Sequence, residues 1–251
     1  ATATATFTAT FTTPPDVSYV DATTGDDDAD GLTPEVDHAH GHGPRRSIAA
    51  AIAAAPHGAT IVVAPGTYPG GIVFPDNRAL TLRSIAPDNT AVVAATCIDA
   101  AAAMPPGDLP GDAWTMPLVT FPPGCPDGSA LEGLTLRAGT AGAIRAHGAS
   151  PAIRHCRIRS AAEPTTPDPH GTAPLLWARQ SRGLVVEDCD IGPANATGLL
   201  IQDSAGVILR RNTIHDCGTI SPGNAGGIAL ENCSAVTIDQ CHVLHCRAAE
   251  S

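Results

Sequence analysis

The feature that most constrains the fold of this 251-residue chain is an internal repeat in its second half. Four segments share one pattern: a small or apolar start, a turn, a β-prone run, a fixed slot and, two residues after the slot, an aliphatic residue. These segments span residues 142–158, 175–191, 198–214 and 227–243. The slot holds Cys156, Cys189, Asn212 and Cys241, and the aliphatic residues are Ile158, Ile191, Ile214 and Val243.

The distance between successive slots varies while the motif does not. A solenoid behaves in this way when each coil carries its own loop. A repeat of this size that contains strands only fits a parallel β-helix better than leucine-rich, ankyrin or tetratricopeptide arrays, and a propeller blade would need about twice the residues. The sequence therefore predicts an all-β solenoid over residues 59–251.

Two different segments precede these coils. Residues 1–13 form an extended, β-prone tail, and residues 14–58 combine an acidic and His-rich loop with a short helix. The helix is predicted from the Ala-rich run that ends at Pro56, in which Ile48 and Ile52 lie four residues apart on one face. No further helix is expected.

The start of the chain carries a resemblance to a known superfamily. The segments that carry it are Tyr19-Val20-Asp21, the acidic loop at 25–31 with Leu32-Thr33-Pro34, the Ala-rich helix, and the run GATIVVAPGTY at 58–68. They resemble the N-terminal part of secreted right-handed β-helix proteins of the pectate-lyase-like superfamily, and the likeness covers most of the chain from Tyr19 onward. It implies right-handed coils and a helix that caps their N-terminal end. It implies no single reaction, because the superfamily holds lyases, hydrolases, epimerases, adhesins and structural proteins.

The bulk composition limits the partners of the chain. It has 14 basic residues, all of them Arg, against 25 acidic ones, so its net charge of −11 repels phosphate backbones and makes a nucleic-acid partner improbable. No run of about 18 apolar residues is present, which excludes a membrane span. The first residue is Ala and the 8 cysteines are even in number. We therefore expect a secreted protein, extracellular or on the cell surface.

The cysteines suggest cross-links between coils. Stacked strands lie about 4.8 Å apart, within the Cα range that a disulfide accepts. Two pairs fall at equivalent positions of successive coils, and a third would close the Pro- and Gly-rich loop. The expected disulfides are Cys217–Cys246, Cys156–Cys189 and Cys97–Cys125. The alternative for Cys156 and Cys189 is a ladder of reduced, inward-facing residues that includes Asn212.

Two metal sites are possible in the segment before the coils. The spacing of Asp26, Asp28, Asp30 and Asp37 matches a calcium loop of the D-x-D-x-D-G type, so calcium is a candidate cofactor. The helices that flank such loops in EF-hands are missing, and a solvated acidic turn is the alternative. His38, His40 and His42 alternate, so an extended backbone would point them to one side, where Zn²⁺, Cu²⁺ or Ni²⁺ could bind. A solvated His-rich turn is again the alternative.

One function to be weighed is that of a structural subunit. In the tail, Thr occupies the even positions of residues 1–12, and Phe7 and Phe11 lie on the opposite face. The given sequence holds no capping segment after the final repeat, which includes Val243 and Leu244, so either further sequence follows it or another molecule supplies the cap. This pattern predicts a filament or surface layer built from copies of the same chain, by head-to-tail stacking of coils and addition of the N-terminal strand to a neighbour.

The alternative is a secreted polysaccharide lyase or glycoside hydrolase, with glycans as partners. Such an enzyme needs a groove with clustered acids or bases, and the candidates are Asp188, Asp190, Asp203, Asp216, Arg210, Arg211 and His215. None of them falls in a recognisable catalytic motif, so no catalytic residue is assigned. Trp114 and Trp177 are the only Trp residues available to stack on a sugar. The sequence therefore favours a non-enzymatic structural subunit and leaves the enzyme open.

Overall fold

The computed structural model describes residues 16–37, 39–103, 116–161, 173–222 and 226–249. Its helices are α1 (Ile48–Ala54) and α2 (Thr90–Ala95), with a 3-10 turn at Ala100–Ala103. The strands up to the middle of the chain are β1 (Val17–Val20), β2 (Thr60–Val63), β3 (Gly66–Pro69), β4 (Ile72–Val73), β5 (Thr81–Ser84), β6 (Thr96–Asp99), β7 (Val119–Phe121), β8 (Ala130–Glu132), β9 (Thr135–Ala138), β10 (Ile144–His147) and β11 (Ala152–Arg154). The remaining strands are β12 (Arg157–Ser160), β13 (Leu176–Arg179), β14 (Val185–Glu187), β15 (Asp190–Ile191), β16 (Leu199–Gln202), β17 (Ile208–Arg210), β18 (Thr213–His215), β19 (Gly218–Pro222), β20 (Ile228–Glu231), β21 (Thr237–Asp239), β22 (His242–Leu244) and β23 (Arg247–Ala249).

These strands form three parallel sheets that run along the solenoid. Sheet 1 has the order β1-β2-β5-β8-β11-β14-β17-β21, sheet 2 the order β3-β6-β9-β12-β15-β18-β22, and sheet 3 the order β4-β7-β10-β13-β16-β20. Each coil contributes one strand to each sheet, so coil 1 is β2–β4, coil 2 is β5–β7, coil 3 is β8–β10, coil 4 is β11–β13 and coil 5 is β14–β16. Coil 6 is β17, β18 and β20, and coil 7 begins with β21 and β22. The predicted all-β solenoid is confirmed.

The repeat seen in the sequence is the corner between sheets 1 and 2. The residue before each slot has a left-handed backbone, with φ of 53° at His155 and Asp188, 51° at Arg211 and 52° at Gln240. This turns the chain sharply and points the slot residue inward. The aliphatic residues two positions later pair in register on sheet 2, and Ile158, Ile191 and Ile214 are buried in the core.

The core is built from stacks of aliphatic side chains. On sheet 1 the inward row is completely buried from coil to coil, and it consists of Ile61, Leu82, Leu131, Ile153, Val186 and Leu209. Large rings contribute only in the first coils, where the centroids of Phe74 and Phe121 lie 4.2 Å apart. Branched aliphatic side chains thus fill most of the described interior, in keeping with the low aromatic content of the chain.

Helix α1 lies at the N-terminal end of the solenoid, as predicted. Its residues Ile48, Ala51 and Ile52 are buried, and the helix packs on β1, β2 and β4. The Ser47 hydroxyl accepts a hydrogen bond from the Ala50 amide, and Asp27 accepts from the backbone amide of Ser47 at 2.7 Å. The acidic loop and the helix are therefore joined at the cap.

The expectation of no further helix was wrong. Helix α2 lies in an insertion at residues 85–95, which we call the α2 insertion, between β5 and β6. Asn89 caps it by accepting from the amides of Ala91 and Val92. A short Ala- and Val-rich run after β-prone residues carries little helical periodicity, so the cap and its packing decide its structure.

A ladder of alternating charges lies on the outer face of sheet 1. Its members occupy one register row on six successive coils: Arg83, Glu132, Arg154, Glu187, Arg210 and Asp239. Glu187 contacts Arg154 at 3.2 Å and Arg210 at 3.1 Å, and its side chain is 15% exposed. The opposite charges of neighbouring coils therefore lie side by side only when the coils pair in this register.

Replacing Glu187 with Gln should cost about 1 to 3 kcal/mol of unfolding free energy, because two half-buried guanidinium groups lose a charged acceptor. Urea denaturation monitored by circular dichroism measures the change. Asp239→Asn is the control, since this carboxylate is half-exposed and contacts Arg210 at 3.5 Å. Its loss should be below about 1 kcal/mol. Equal losses in the two variants would contradict a ladder whose middle is worth more than its end.

The eight cysteines, all within the described residues, are free thiols in this structure. Cys156 and Cys189 occupy the same corner of coils 4 and 5, and Cys217 and Cys246 follow β18 and β22 on neighbouring coils. Cys97 lies on sheet 2, whereas Cys125 lies between β7 and β8 beside Ser129. These two residues thus lie on different parts of coil 2, and none of the three expected bridges is formed in this structure.

Candidate functional site

A groove lies between the α2 insertion and the corner of coils 4 and 5. Its volume is about 370 Å³. Polar and charged side chains dominate its lining, which consists of Pro87, Asp88, Thr90, Val93, His155, Cys156, Arg157, Asp188 and Asp190. This volume lies within the range of small-ligand sites.

The solenoid repeat itself places the charged residues of one wall. His155 and Asp188 hold the left-handed corner position on adjacent coils, and Arg157 and Asp190 pair in register on the outer face of sheet 2. Each coil therefore presents one residue from the corner and one from the strand. The same two positions carry basic residues on coil 4 and acidic residues on coil 5.

The α2 insertion forms the opposite wall. The Thr135 hydroxyl of β9 donates to the carbonyl of Val93 at 2.7 Å, which fixes the helix over sheet 2. Asp88 lies ahead of the helix, and its Oδ1 is 3.3 Å from Nε2 of His155. Gly133 supports the insertion from below, where its backbone meets Pro87. The groove thus depends on contacts between coils 2, 3 and 4.

Asp188 is the most firmly held charge in the groove. It accepts two hydrogen bonds from the Arg211 guanidinium, at 2.8 and 2.7 Å. These bonds hold the pKa of Asp188 below its ordinary value. The carboxylate is therefore ionised throughout the neutral range.

A chain of acids and histidines continues from the groove toward coil 7. Asp190 contacts Arg157 at 3.5 Å and Nε2 of His215 at 3.1 Å. Nδ1 of His215 lies 2.8 Å from Asp216, and this hydrogen bond lowers the pKa of the Asp216 carboxyl. His245 is 3.6 Å from the same carboxylate. Charge at the groove is thereby coupled to the last coils.

Stability should fall in acid because of these depressed carboxyl pKa values. A carboxyl whose pKa is lowered on folding stabilises the protein above its unfolded pKa of about 4, and this contribution is lost as the pH falls through the folded pKa. Asp188→Asn should flatten the decline in unfolding free energy below about pH 4. Denaturation titrations across this range test it, with Asp203→Asn as the control. An unchanged pH slope in Asp188→Asn would contradict the assignment.

Several sequence candidates meet at this groove and others do not. Asp188 and Asp190 line it, Arg211 holds Asp188, and His215 and Asp216 continue from it. Asp203 lies at another corner and pairs with Arg179, and Arg210 belongs to the ladder on sheet 1. Asp88, His155 and Arg157 also line the groove but were not among the sequence candidates. His155 had a visible signal, because it precedes its slot just as Asp188 does.

Trp177 does not offer a free ring to a sugar. The guanidinium of Arg145 lies 5.3 Å from the ring centroid, and Leu200 is the register neighbour on the other side. The indole N–H donates to Gln202 at 2.9 Å. The ring is thus packed within sheet 3, and Trp114 lies outside the described residues.

The predicted metal loop is held by its own hydrogen bonds. Asp30 pairs with His42, and Asp37 lies 2.7 Å from His40. Asp26 accepts from the Asp28 amide at 3.1 Å. Among the described residues, no three His, Cys, Asp or Glu side chains converge as a metal-ligand set. Calcium binding therefore stays a prediction, and His38 lies outside the described residues.

The residues expected to mediate self-assembly are only partly described. Phe7 and Phe11 lie outside the described residues, as does the rest of the tail at 1–13. Val243 and Leu244 lie on β22, where their side chains are 50% and 46% exposed. Filament formation therefore stays a prediction. In the described part of the chain, every helix is too short or too polar to cross a bilayer.

Comparison with known proteins bears on the fold. Residues 131–249 match the family model described as the right handed beta helix region, and no curated protein matches the chain. Among solved structures, pectate lyase Pel9A shares 13% identity and a TM-score of 0.45, over 79% of this chain and 53% of that one. A rhamnogalacturonan lyase shares 11% identity and a TM-score of 0.38, over 93% and 62%. The chain thus spans less than two thirds of either lyase.

The family match and the sheet topology lead to the same conclusion. The matched residues run from β8 to β23, and over them each coil adds one parallel strand to each of the three sheets. The protein is a right-handed parallel β-helix.

Proposed function

We propose that the protein binds and hydrolyses a polysaccharide in the groove beside the α2 insertion. The observation that carries the proposal is the convergence of His155 and Arg157 from one coil with Asp188 and Asp190 from the next, opposite Asp88. An extracellular location accompanies this proposal, since polymeric glycans are met outside the cell.

The groove contains the two kinds of group that glycoside hydrolysis requires. The transition state resembles an oxocarbenium ion, which a nearby carboxylate stabilises, and the leaving oxygen needs a proton. Asp188 supplies a permanent negative charge because Arg211 lowers its pKa. His155 lies 3.3 Å from Asp88, and its imidazole can act as the general acid that protonates the leaving oxygen. Once the glycosidic C–O bond has broken, water adds to the sugar carbon, and the proton that this water loses returns to the imidazole of His155, which completes hydrolysis.

The charge of the groove favours a neutral glycan over a polyanion. Three carboxylates line it, and its one guanidinium, that of Arg157, already faces Asp190. The net charge of −11 adds a long-range repulsion for acidic polymers. Elimination on an acidic polysaccharide is therefore the competing reaction that the test must separate from hydrolysis.

The experiment is a screen of the full chain on neutral glucans, xylans and galactans beside polygalacturonate. Hydrolysis releases reducing ends alone, whereas elimination also produces an unsaturated sugar that absorbs in the ultraviolet. We expect reducing ends from a neutral polymer without this absorbance. Absence of cleavage, or an unsaturated product from the acidic polymer, would overturn the proposal.

Substitutions locate the activity in the groove. Asp188→Asn and His155→Gln should each lower the cleavage rate by about a hundredfold. Asp203→Asn is a matched control, because Asp203 also has a left-handed backbone, with φ of 50°, and also pairs with an Arg, but lies at another corner. It should retain the full rate. Full activity in Asp188→Asn would place the chemistry elsewhere.

A further inference from the structure

Two pairs of cysteines stack across coils at the corners of the solenoid. Cys156 and Cys189 immediately precede the register pair Arg157 and Asp190, and the Asp190 amide donates to the Cys156 carbonyl at 2.9 Å. One step between parallel strands is about 4.8 Å, and disulfides span Cα distances of about 4.4 to 6.8 Å. The backbone therefore needs no rearrangement to bridge this pair.

The two thiols are already in contact within the interior. Cys156 is 1% exposed and Cys189 is 3% exposed. Burial and a hydrogen bond with Cys156 raise the pKa of the Cys189 thiol. The next residue of the column is Asn212, which separates this pair from Cys241.

The position of this pair links it to the groove. Cys156 lines the groove and follows His155 directly, while Cys189 follows Asp188. A covalent bond between the sulfurs would hold the two corner residues one strand spacing apart. The disulfide itself does not depend on the proposed function; only the catalytic role of His155 and Asp188 does.

We propose that Cys156 and Cys189 form an inter-coil disulfide beneath the groove, which restricts the separation of coils 4 and 5. The two thiols lose two protons and two electrons as the S–S bond forms. The electrons pass by thiol–disulfide exchange to a small-molecule disulfide such as oxidised glutathione, which is reduced to two thiols.

The same geometry extends to Cys217 and Cys246. Gly218 pairs in register with Arg247, and the Arg247 amide donates to the Cys217 carbonyl at 2.9 Å. Burial, followed by the nearby Cys246, raises the pKa of the Cys217 thiol to about 12. This second bridge would join coils 6 and 7.

The remaining cysteines lack a stacked partner of their own kind. In the described coils, Cys241 follows Asn212 in its column and Cys233 follows Ser204. Cys97 and Cys125 lie apart on coil 2. The proposal therefore fixes a count of two bridges and four thiols.

The raised pKa values determine how the bridges form. Buried, protonated thiols react slowly, so bridging must take place while the coils assemble.

The full chain is therefore unfolded, reduced, and refolded in a mixture of oxidised and reduced glutathione. Free thiols are then alkylated, and the unreduced protein is digested for mass spectrometry. Peptides linked through Cys156–Cys189 and Cys217–Cys246, with the other four thiols alkylated, are expected. Eight alkylated thiols, or other pairings, would overturn the proposal.

Amide hydrogen exchange tests the effect on the groove without any substrate. The His155 amide donates to the Glu187 carbonyl at 3.1 Å, between the two coils. Reduction should speed exchange in peptides that contain His155 and Asp188 by about tenfold. The variant Cys156→Ala with Cys189→Ala should show no response to reductant there, while the control Cys233→Ala with Cys241→Ala should respond as the parent does. If the disulfide-bonded protein exchanged as fast as the protein with free thiols, the bond would not restrict the separation of coils 4 and 5. Failure to cleave any glycan would instead remove the proposed function alone.

Discussion

Gly133→Ala is expected to destabilise the protein by about 2 to 5 kcal/mol and to displace the α2 insertion from the groove. Gly133 has a φ of +63°, which an L side chain adopts at a cost. A Cβ atom there would lie 2.2 Å from Cα of Pro87 and 2.4 Å from its Cβ. Because the obstacle is backbone, it cannot rotate away, so the insertion has to move and take Asp88 with it.

Gly148→Ala provides a matched control for this substitution. Its φ of +62° imposes the same backbone strain, but the nearest atoms to the new Cβ lie 3.6 Å away, in Pro123. This variant should lose only about 1 to 2 kcal/mol. Denaturant unfolding measures the two losses, and the hydrolysis assay measures the groove. Equal losses in the two variants would show that strain, and not the contact with Pro87, decides the effect.

The coils could be predicted from the sequence because each coil repeats the same local sequence pattern. The slot residue, the aliphatic residue two positions later and the preceding β-run recur at Cys156, Cys189 and Asn212, and only a parallel stack aligns them. The first helix was also predictable, since Ile48 and Ile52 mark a buried face. Local patterns were sufficient wherever the fold is made by local repetition.

The charge ladder on sheet 1 could also have been predicted from the sequence. The residue two positions before each slot alternates in sign, from Arg154 through Glu187 and Arg210 to Asp239. Only the register of neighbouring coils gives this alternation its meaning. The signal is therefore clear once the slots are aligned on one another.

The groove could be predicted only in half. Asp188 and Asp190 were identified as acids on coil surface, because their own coil places them. Asp88 comes from an insertion two coils earlier, and no local pattern states which coil an insertion will cover. Its contact with His155 depends on the packing of Pro87 over Gly133 and on the bond from Thr135 to Val93. A site formed by residues of several coils therefore cannot be predicted from the local sequence pattern of any one coil.

Asn212→Leu is expected to cost about 2 to 4 kcal/mol, although the two side chains share the same branched shape. Asn212 is fully buried in the slot of coil 6. Its Oδ1 accepts from the Cys189 amide at 2.9 Å, and its Nδ2 donates to the Val186 carbonyl at 2.8 Å. Leucine would leave the buried Cys189 amide without this acceptor and would remove one donor from the Val186 carbonyl, and its added apolar contact offsets only part of that loss.

Cys241→Ala tests whether the effect comes from these hydrogen bonds or from filling the column. Cys241 holds the same slot one coil later, but its sulfur makes only weak contacts, to the Asp239 carbonyl at 3.5 Å and to Nδ2 of Asn212 at 3.8 Å. It should lose less than about 1 kcal/mol. Unfolding in urea compares the two variants, and hydrogen exchange at Cys189 identifies the cause, because that amide should lose its protection only in Asn212→Leu. If the Cys189 backbone amide stayed protected in Asn212→Leu, the hydrogen bonds of the Asn212 side chain would not be the cause, and the slot would be only a packing position.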